Sequence, residues 1–219
     1  MSGFGVFLFY FKGLSDLGGW FVICNDTHVF VKKGQTMSNS NKLKGKKIAI
    51  LATHGFEQSE LIKPRDMFIE QGAEVDILSV DEQSSIKAWD EDDWGKTVKV
   101  DKQVSTVSPE DYDALVLPGG QINPDVLRTK DDAVTFIKRA NSANGVKAVG
   151  AICHGPWLLV ESGLAKGATL TSFPSIRTDL KNAGATWIDD KVVVHDKLVT
   201  SRNPDDISAF VGKISEMIA

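Results

Sequence analysis

Residues 147–161 read Lys147-Ala-Val-Gly-Ala-Ile-Cys-His-Gly-Pro-Trp-Leu-Leu-Val-Glu161, and the fold is decided there. The run from Lys147 to Ile152 is apolar after its first residue and does not alternate, which marks a strand covered on both faces, as in a parallel sheet. Cys153-His154-Gly155-Pro156 then turns the chain, and Trp157 to Glu161 reads as helix. A cysteine at the turn from buried strand to helix stands at the carboxyl edge of the sheet, where parallel sheets hold their ligands.

The same alternation recurs on both sides. Lys47–Leu51, Val75–Val80 and Ala114–Leu117 read as strands, and a helix is expected over Glu60–Gln71, stopped by Gly72, with Pro64 in its first turn or at a kink. Helices follow over Asp131–Ala143, Ser175–Ala183 and Pro204–Ile218, with short strands at Ala168–Thr171, Val192–Val194 and Leu198–Thr200. Residues 85–105 read as a hairpin whose acidic tip, Asp90–Asp93, is flanked by Trp89 and Trp94. The expected architecture is α/β: a doubly wound, mostly parallel sheet with helices on both faces.

The chain has 219 residues, 42% hydrophobic and 25% charged, with net charge −4. That profile excludes disordered, collagenous and membrane classes, and a chain this long buries enough surface to need neither disulfides nor a structural metal. No basic excess is available to neutralise phosphates, so small molecules, peptides or proteins are the expected partners rather than nucleic acid. Two cysteines, Cys24 and Cys153, fit a reducing, cytoplasmic setting. The four histidines have no metal-ligand spacing, and neither a metal nor a cofactor is expected. The apolar run Phe4–Phe11 is too short to span a membrane, for which about 20 residues are needed, and lacks the flanks of a secretory signal. Residues 1–36 differ in texture from the rest, and Met37 opens a polar stretch; the expectation is that residues 1–36 are an N-terminal extension, with Met37 the true start and residues 46–219 one domain.

A thiol beside a helix N-terminus is expected to have its pKa lowered from about 8.5, favouring the nucleophilic thiolate; the competing reading is a buried cysteine acting as a small hydrophobe. His154 follows directly, and its ring lies beside the sulfur only in a strained elbow. The His154 backbone N–H, with the Gly119-Gly120 loop at the end of the neighbouring strand, offers an oxyanion site. Glu57 and Glu60 stand three residues apart at the first strand's end, as a group reaching the sulfur or as helix-capping acids.

Together GFEQSELIKP (55–64), DALVLPGG (113–120) and AICHGP (151–156) resemble the PfpI group of the ThiJ/PfpI superfamily, whose members are class I glutamine-amidotransferase-like proteins. The tail VVVHDKLVTSRNPDD (192–206) is similar as well. The resemblance implies a flavodoxin-like fold in which Cys153 is the nucleophile, His154 its base, Glu60 the buried acid at the sulfur, and Gly120 with His154 the oxyanion donors. It further implies that an acid from a neighbouring subunit orients the histidine. The matching position is Asp125, an aspartate where some members carry glutamate, with one extra residue before it; a homodimer or hexamer follows. Glu57 is a supporting acid, His54 a substrate contact or a solvated loop histidine, and Trp157 a core residue.

The resemblance implies a stress-protective cysteine hydrolase, either a peptidase or a deglycase/glyoxalase acting on small carbonyl compounds, glycated proteins or peptides. The alternative is a redox sensor or chaperone in which Cys153 is oxidised to a sulfinate beside Glu60. A glutaminase is the weakest reading, since His195 is followed by Asp196-Lys197 instead of the His-x-Glu pair that chemistry uses.

Overall fold

The structure is a computed structural model that describes residues 19–24, 27–32 and 41–219. The chain divides into two units, Met1–Ser38 and Asn39–Ala219. In the first, β1 (Gly19–Cys24) and β2 (Thr27–Lys32) pair as an antiparallel hairpin that the sequence reading did not assign. Most of residues 1–36, and Met37 itself, lie outside the described residues.

The second unit begins with β3 (Lys47–Leu51), the short β4 (Phe56–Glu57) and α1 (Gln58–Glu70), followed by β5 (Glu74–Ser79). The hairpin β6 (Ser85–Asp90) and β7 (Asp93–Lys99) leads to β8 (Lys102–Gln103) and β9 (Ala114–Leu117). Then come α2 (Ile122–Leu127), α3 (Asp131–Ser142), β10 (Ala148–Ile152) and α4 (Trp157–Glu161). The chain closes with β11 (Thr169–Leu170), α5 (Arg177–Asn182), β12 (Thr186–Trp187), β13 (Val192–His195), β14 (Leu198–Ser201) and α6 (Ile207–Ile218).

Seven strands form the central sheet in the order β13-β14-β10-β9-β3-β5-β8. All its pairings are parallel except the edge pair β13–β14. The expected doubly wound sheet is therefore present, with β10 near its centre. Alternate residues of each strand feed two cores. Ala49, Leu51, Leu115, Leu117, Val149 and Ala151 pack with α3, α4 and α5 on one face. Ile48, Ile50, Ala114, Val116, Ala148 and Ile152 pack with α1 and α6 on the other. Burial on both faces is why these strands read as unbroken apolar runs.

Boundaries moved where tertiary contacts override local pattern. Helix α1 starts at Gln58, two residues early, so Pro64 sits in its second turn, buried and without an N–H to donate. The expected helix over 175–183 is a 3-10 turn at Pro174–Ile176 followed by α5, and that over 204–218 a 3-10 turn at Pro204–Asp206 followed by α6. The hairpin turns at its acidic tip as expected, with Trp89 and Trp94 edge to face at 5.5 Å, but it ends at Lys99, because β8 leaves to join β5.

Gly150, in β10, has no room for a side chain: a Cβ there meets Ile214 at 2.5 Å and Phe210 at 2.7 Å, both fully buried on α6. We expect Gly150→Ala to lower unfolding free energy by about 1–3 kcal/mol through overpacking, read as a fall in the urea midpoint at unchanged slope.

Candidate active site at the β10–α4 elbow

At the carboxyl end of β10 the backbone of Cys153 takes a φ of 60°, a left-handed conformation that a non-glycine residue adopts at a cost of about 1–2 kcal/mol. Three hydrogen bonds hold it there. Cys153 N–H donates to the Ser201 carbonyl on β14 (3.0 Å), Phe173 N–H donates to the Cys153 carbonyl (2.9 Å), and Gly155 N–H donates back to Ile152 (2.8 Å). This is the strained elbow in which the next side chain can lie beside the sulfur. His154 Nδ1 is 3.2 Å from Cys153 Sγ.

Glu60 reaches the same sulfur from the first turn of α1. It is fully buried, its Oε2 accepts from Gly119 N–H at 2.9 Å, and its carboxyl is in hydrogen-bonding contact with the Cys153 thiol. The other oxygen, Oε1, has no hydrogen-bond partner among the described residues. A buried carboxyl oxygen that no donor reaches is better tolerated in the neutral acid than in the carboxylate. Burial first, and then the charge of Glu57, push the Glu60 carboxyl up to about 8, so at neutral pH it is that proton-bearing acid.

Gly119 permits the three groups to meet. A Cβ at that position falls 2.5 Å from Glu60 Oε2, 2.7 Å from Cys153 Cβ and 2.9 Å from His154 N. The Pro118–Gly119 carbonyls are pinned by a fully buried Asn123, whose Nδ2 donates to Pro118 O (2.9 Å) and Gly119 O (3.3 Å) while its Oδ1 accepts from Thr53 N–H (2.8 Å). The backbone N–H groups of Gly120 and His154 point at the sulfur.

The electrostatics correct one expectation. The thiol is not lowered by a helix dipole: α4 begins only at Trp157 and is five residues long. Burial, followed by the charge of Glu60 and the hydrogen bond to it, pushes the Cys153 thiol up, and the Gly120 and His154 N–H groups pull against that shift. Burial also lowers His154 from its ordinary value, so its ring is neutral at pH 7. The resting site is thus an uncharged cluster of thiol, imidazole and carboxylic acid.

The remaining expected residues fall elsewhere. Glu57 caps α1, accepting from Ser59 N–H (3.3 Å) and Ser59 Oγ–H (2.9 Å); for this residue the capping reading holds. His54 is exposed, and its Nδ1 accepts from Lys87 N–H at 2.9 Å, tying the loop after β3 to β6. Asp125 lines an open pocket of about 530 Å³ together with Gln121, Ile122, Val126, His154, Trp157, Ser175 and Ile176. Its carboxylate pairs with Arg128 at 2.6 Å, and no hydrogen bond joins it to His154 within the chain. Trp157 packs against the core, as expected, and also lines this pocket, edge to face with His154 at 5.2 Å, with Arg128 over its ring at 4.9 Å. His195 pairs with Leu198, where β14 starts. Cys153 follows the opposite end of β10, next to Ser201, so His195 is at the wrong edge for a glutaminase.

Three neighbours of the elbow were not singled out from sequence. Asn123 is one; Phe173, stacked on His154 at 5.1 Å, and Ser175, whose Oγ is 3.0 Å from His154 Nε2, are the others. No motif marked Phe173-Pro174-Ser175: β11 pairs with β12 outside the central sheet, and it is the Phe173 N–H bond to the Cys153 carbonyl that brings the segment to the elbow. Among the described residues no group of three or more His, Cys, Asp or Glu is arranged to hold a metal ion, and no helix is long and apolar enough to cross a membrane.

Two stability outcomes follow. The Glu60 proton is kept to about pH 8 in the folded state but is lost near 4.5 in the unfolded chain; the folded state binds more protons between those values, and stability from this group falls as pH rises through them. Wild type is expected to lose more stability than Glu60→Gln between pH 5 and pH 8, by a few kcal/mol, in urea melts; equal losses contradict the buried acid. At the elbow, Cys153→Gly should be more stable than Cys153→Ala by about 1 kcal/mol, because only glycine adopts φ 60° without strain.

Comparison with known proteins finds one family. The DJ-1/PfpI family profile matches residues 46–217. The chain is 43% identical over 175 residues to protein/nucleic acid deglycase 2 of Escherichia coli strain K12, covering 75% of this chain and 93% of that one. It is 42% identical over 165 residues to the putative cysteine protease YraA of Bacillus subtilis strain 168, covering 75% and 94%. The crystal structure of Drosophila melanogaster DJ-1beta superposes with a TM-score of 0.72 at 28% identity, over 80% of this chain and 90% of that one.

Proposed function

The chain belongs to the DJ-1/PfpI family, and from that premise we propose that it is a cysteine hydrolase protecting against carbonyl stress, acting on small carbonyl adducts of proteins or peptides with Cys153 as nucleophile. The observation that carries this reading is the trio at the elbow, with Cys153 Sγ 3.2 Å from His154 Nδ1 and in contact with the Glu60 carboxyl. A merely structural buried cysteine requires neither of them, nor a strained backbone.

The step assigned to the trio is addition to an electrophilic carbon. Substrate enters the pocket in front of His154 and Trp157. His154 Nδ1 takes the thiol proton as the Sγ–C bond forms, so the thiolate exists only as it is used. The carbonyl π-electron pair moves to oxygen, where the Gly120 and His154 backbone N–H groups receive the charge. Glu60 stays protonated throughout, its O–H stabilising the sulfur while it is anionic. At an acyl carbon the oxyanion pair re-forms C=O as the His154 proton goes to the departing amine. Methylglyoxal has no leaving group, and there the C–H proton of the hemithioacetal moves to the neighbouring ketone carbon to give a thioester. In both, water then releases the acid and restores the thiol. The names of the relatives, a deglycase and a putative cysteine protease, support this class of activity. Asp125, on the pocket rim beside exposed Ile122 and Val126, enters the mechanism only in an oligomer that brings it from a second copy to His154; light scattering that finds a monomer removes it.

The test is turnover of methylglyoxal and of a methylglyoxal-glycated peptide. Cys153→Ala is expected to have no turnover, and His154→Gln to lose about 10²- to 10⁴-fold in kcat. Because the base must be unprotonated and burial lowers its pKa, activity should persist below pH 6.5, the ordinary histidine value. Full turnover by Cys153→Ala overturns the reading. An inactive wild type that gains oxygen at Cys153 under mild peroxide, read by intact mass, moves the function to redox sensing.

A further inference from the structure

The ring of His154 has two nitrogens and, when neutral, one proton. Its Nδ1 faces Cys153 Sγ at 3.2 Å, and its Nε2 faces Ser175 Oγ at 3.0 Å. Ser175 is the only hydrogen-bond partner of Nε2 among the described residues. We propose that Ser175 is a positioning residue that holds the proton of His154 on Nε2 and thereby leaves Nδ1 bare to receive the thiol proton. The proposal rests on the reading of His154 as the base and names what keeps it in the working tautomer.

Geometry alone supports the assignment. If the Ser175 hydroxyl donated to Nε2, the ring proton would sit on Nδ1 and point at a thiol that is itself a weak acceptor, and the thiol proton would have nowhere to go. If the hydroxyl accepts from Nε2–H, each ring nitrogen has a partner in one direction: thiol to Nδ1, Nε2–H to Ser175. The ring plane is fixed independently. Phe173 stacks on it at 24° and Trp157 meets it edge on, so the ring cannot turn to exchange its nitrogens without displacing both. Ser175 itself is set by the 3-10 turn Pro174–Ile176, which starts two residues after Ser172, on the segment whose Phe173 N–H clasps the Cys153 carbonyl. The same segment therefore positions the nucleophile's backbone and its base.

A hydroxyl does this differently from a carboxylate. It accepts one hydrogen bond without adding a charge, so it fixes the tautomer and leaves the imidazolium unstabilised, which suits a site that is uncharged at rest. The charged and titratable groups near the ring are Cys153 with Glu60 behind it, Asp125 and Arg128 on the α2 side, and Asp179 on α5, which accepts from Trp157 Nε1 at 2.7 Å. None of the three carboxylates is hydrogen-bonded to either ring nitrogen.

The experiment is nitrogen-15 NMR of the full chain with labelled histidine, above the pH at which the ring titrates, on wild type, Ser175→Ala, Ser175→Thr and Asp125→Ala. It needs no turnover, so it stands or falls separately from the hydrolase reading. Expected are a single Nε2–H tautomer in wild type, Ser175→Thr and Asp125→Ala, and a mixture in Ser175→Ala. Alongside, the rate of Cys153 carboxamidomethylation by iodoacetamide should drop about 3- to 10-fold in Ser175→Ala, the equivalent of one hydrogen bond, and recover in Ser175→Thr. A wild-type proton on Nδ1, or an unchanged Ser175→Ala spectrum, overturns the proposal. So does a tautomer shift in Asp125→Ala alone, which would assign the orienting role to the carboxylate.

Discussion

A left-handed residue at the end of the central strand is the constraint on which the site depends. Were Cys153 in an ordinary extended or helical conformation, the His154 side chain would leave on the other side of the chain, and the sulfur would have no base. The fold supplies what keeps it strained: β14 accepts its N–H through Ser201, and the segment after β11 donates to its carbonyl through Phe173. Both neighbours are themselves fixed, one by its parallel pairing with β10 and the other by the 3-10 turn at Pro174. The strain of one residue is thus carried by hydrogen bonds that the sheet makes in any case.

Around that elbow the chemistry is arranged by excluding charge. Glu60, Cys153 and His154 are nearly or wholly buried, and in each the burial favours the uncharged form. In the proposed reaction this buried, neutral cluster becomes strongly responsive once a carbonyl oxygen begins to collect charge, since the N–H groups of Gly120 and His154 act there in a low dielectric. Gly119 sets how closely the acid approaches. Any side chain at that position would push Glu60 away from the sulfur.

Much of this was legible in the sequence. The unbroken apolar runs at 47–51, 114–117 and 148–152 gave the parallel sheet because each is buried on both faces, and the run into Cys153 gave the elbow. Cys153, His154, Glu60, Gly119 and Gly120 do converge, from three strand ends. The sign of the electrostatic effect was not legible, since the sequence shows a helix after the cysteine but not that it begins four residues later, nor how deeply the thiol and the acid are buried. Glu57 and Glu60 look equivalent on paper; only the start of α1 at Gln58 turns one into a cap and the other into the buried acid. Ser175 is an ordinary serine in sequence, and it gained a role only because β11 ends beside β10's carboxyl edge.

The central claim is that all three groups hold their protons in neutral form until substrate arrives. Infrared spectroscopy at pH 7 tests it most directly. The difference between wild type and Cys153→Ala should contain a thiol S–H stretch, and the difference between wild type and Glu60→Gln a protonated-carboxyl C=O band. Absence of the S–H stretch, or a carboxylate band in place of the acid, would show that the site rests as an ion and would contradict the account.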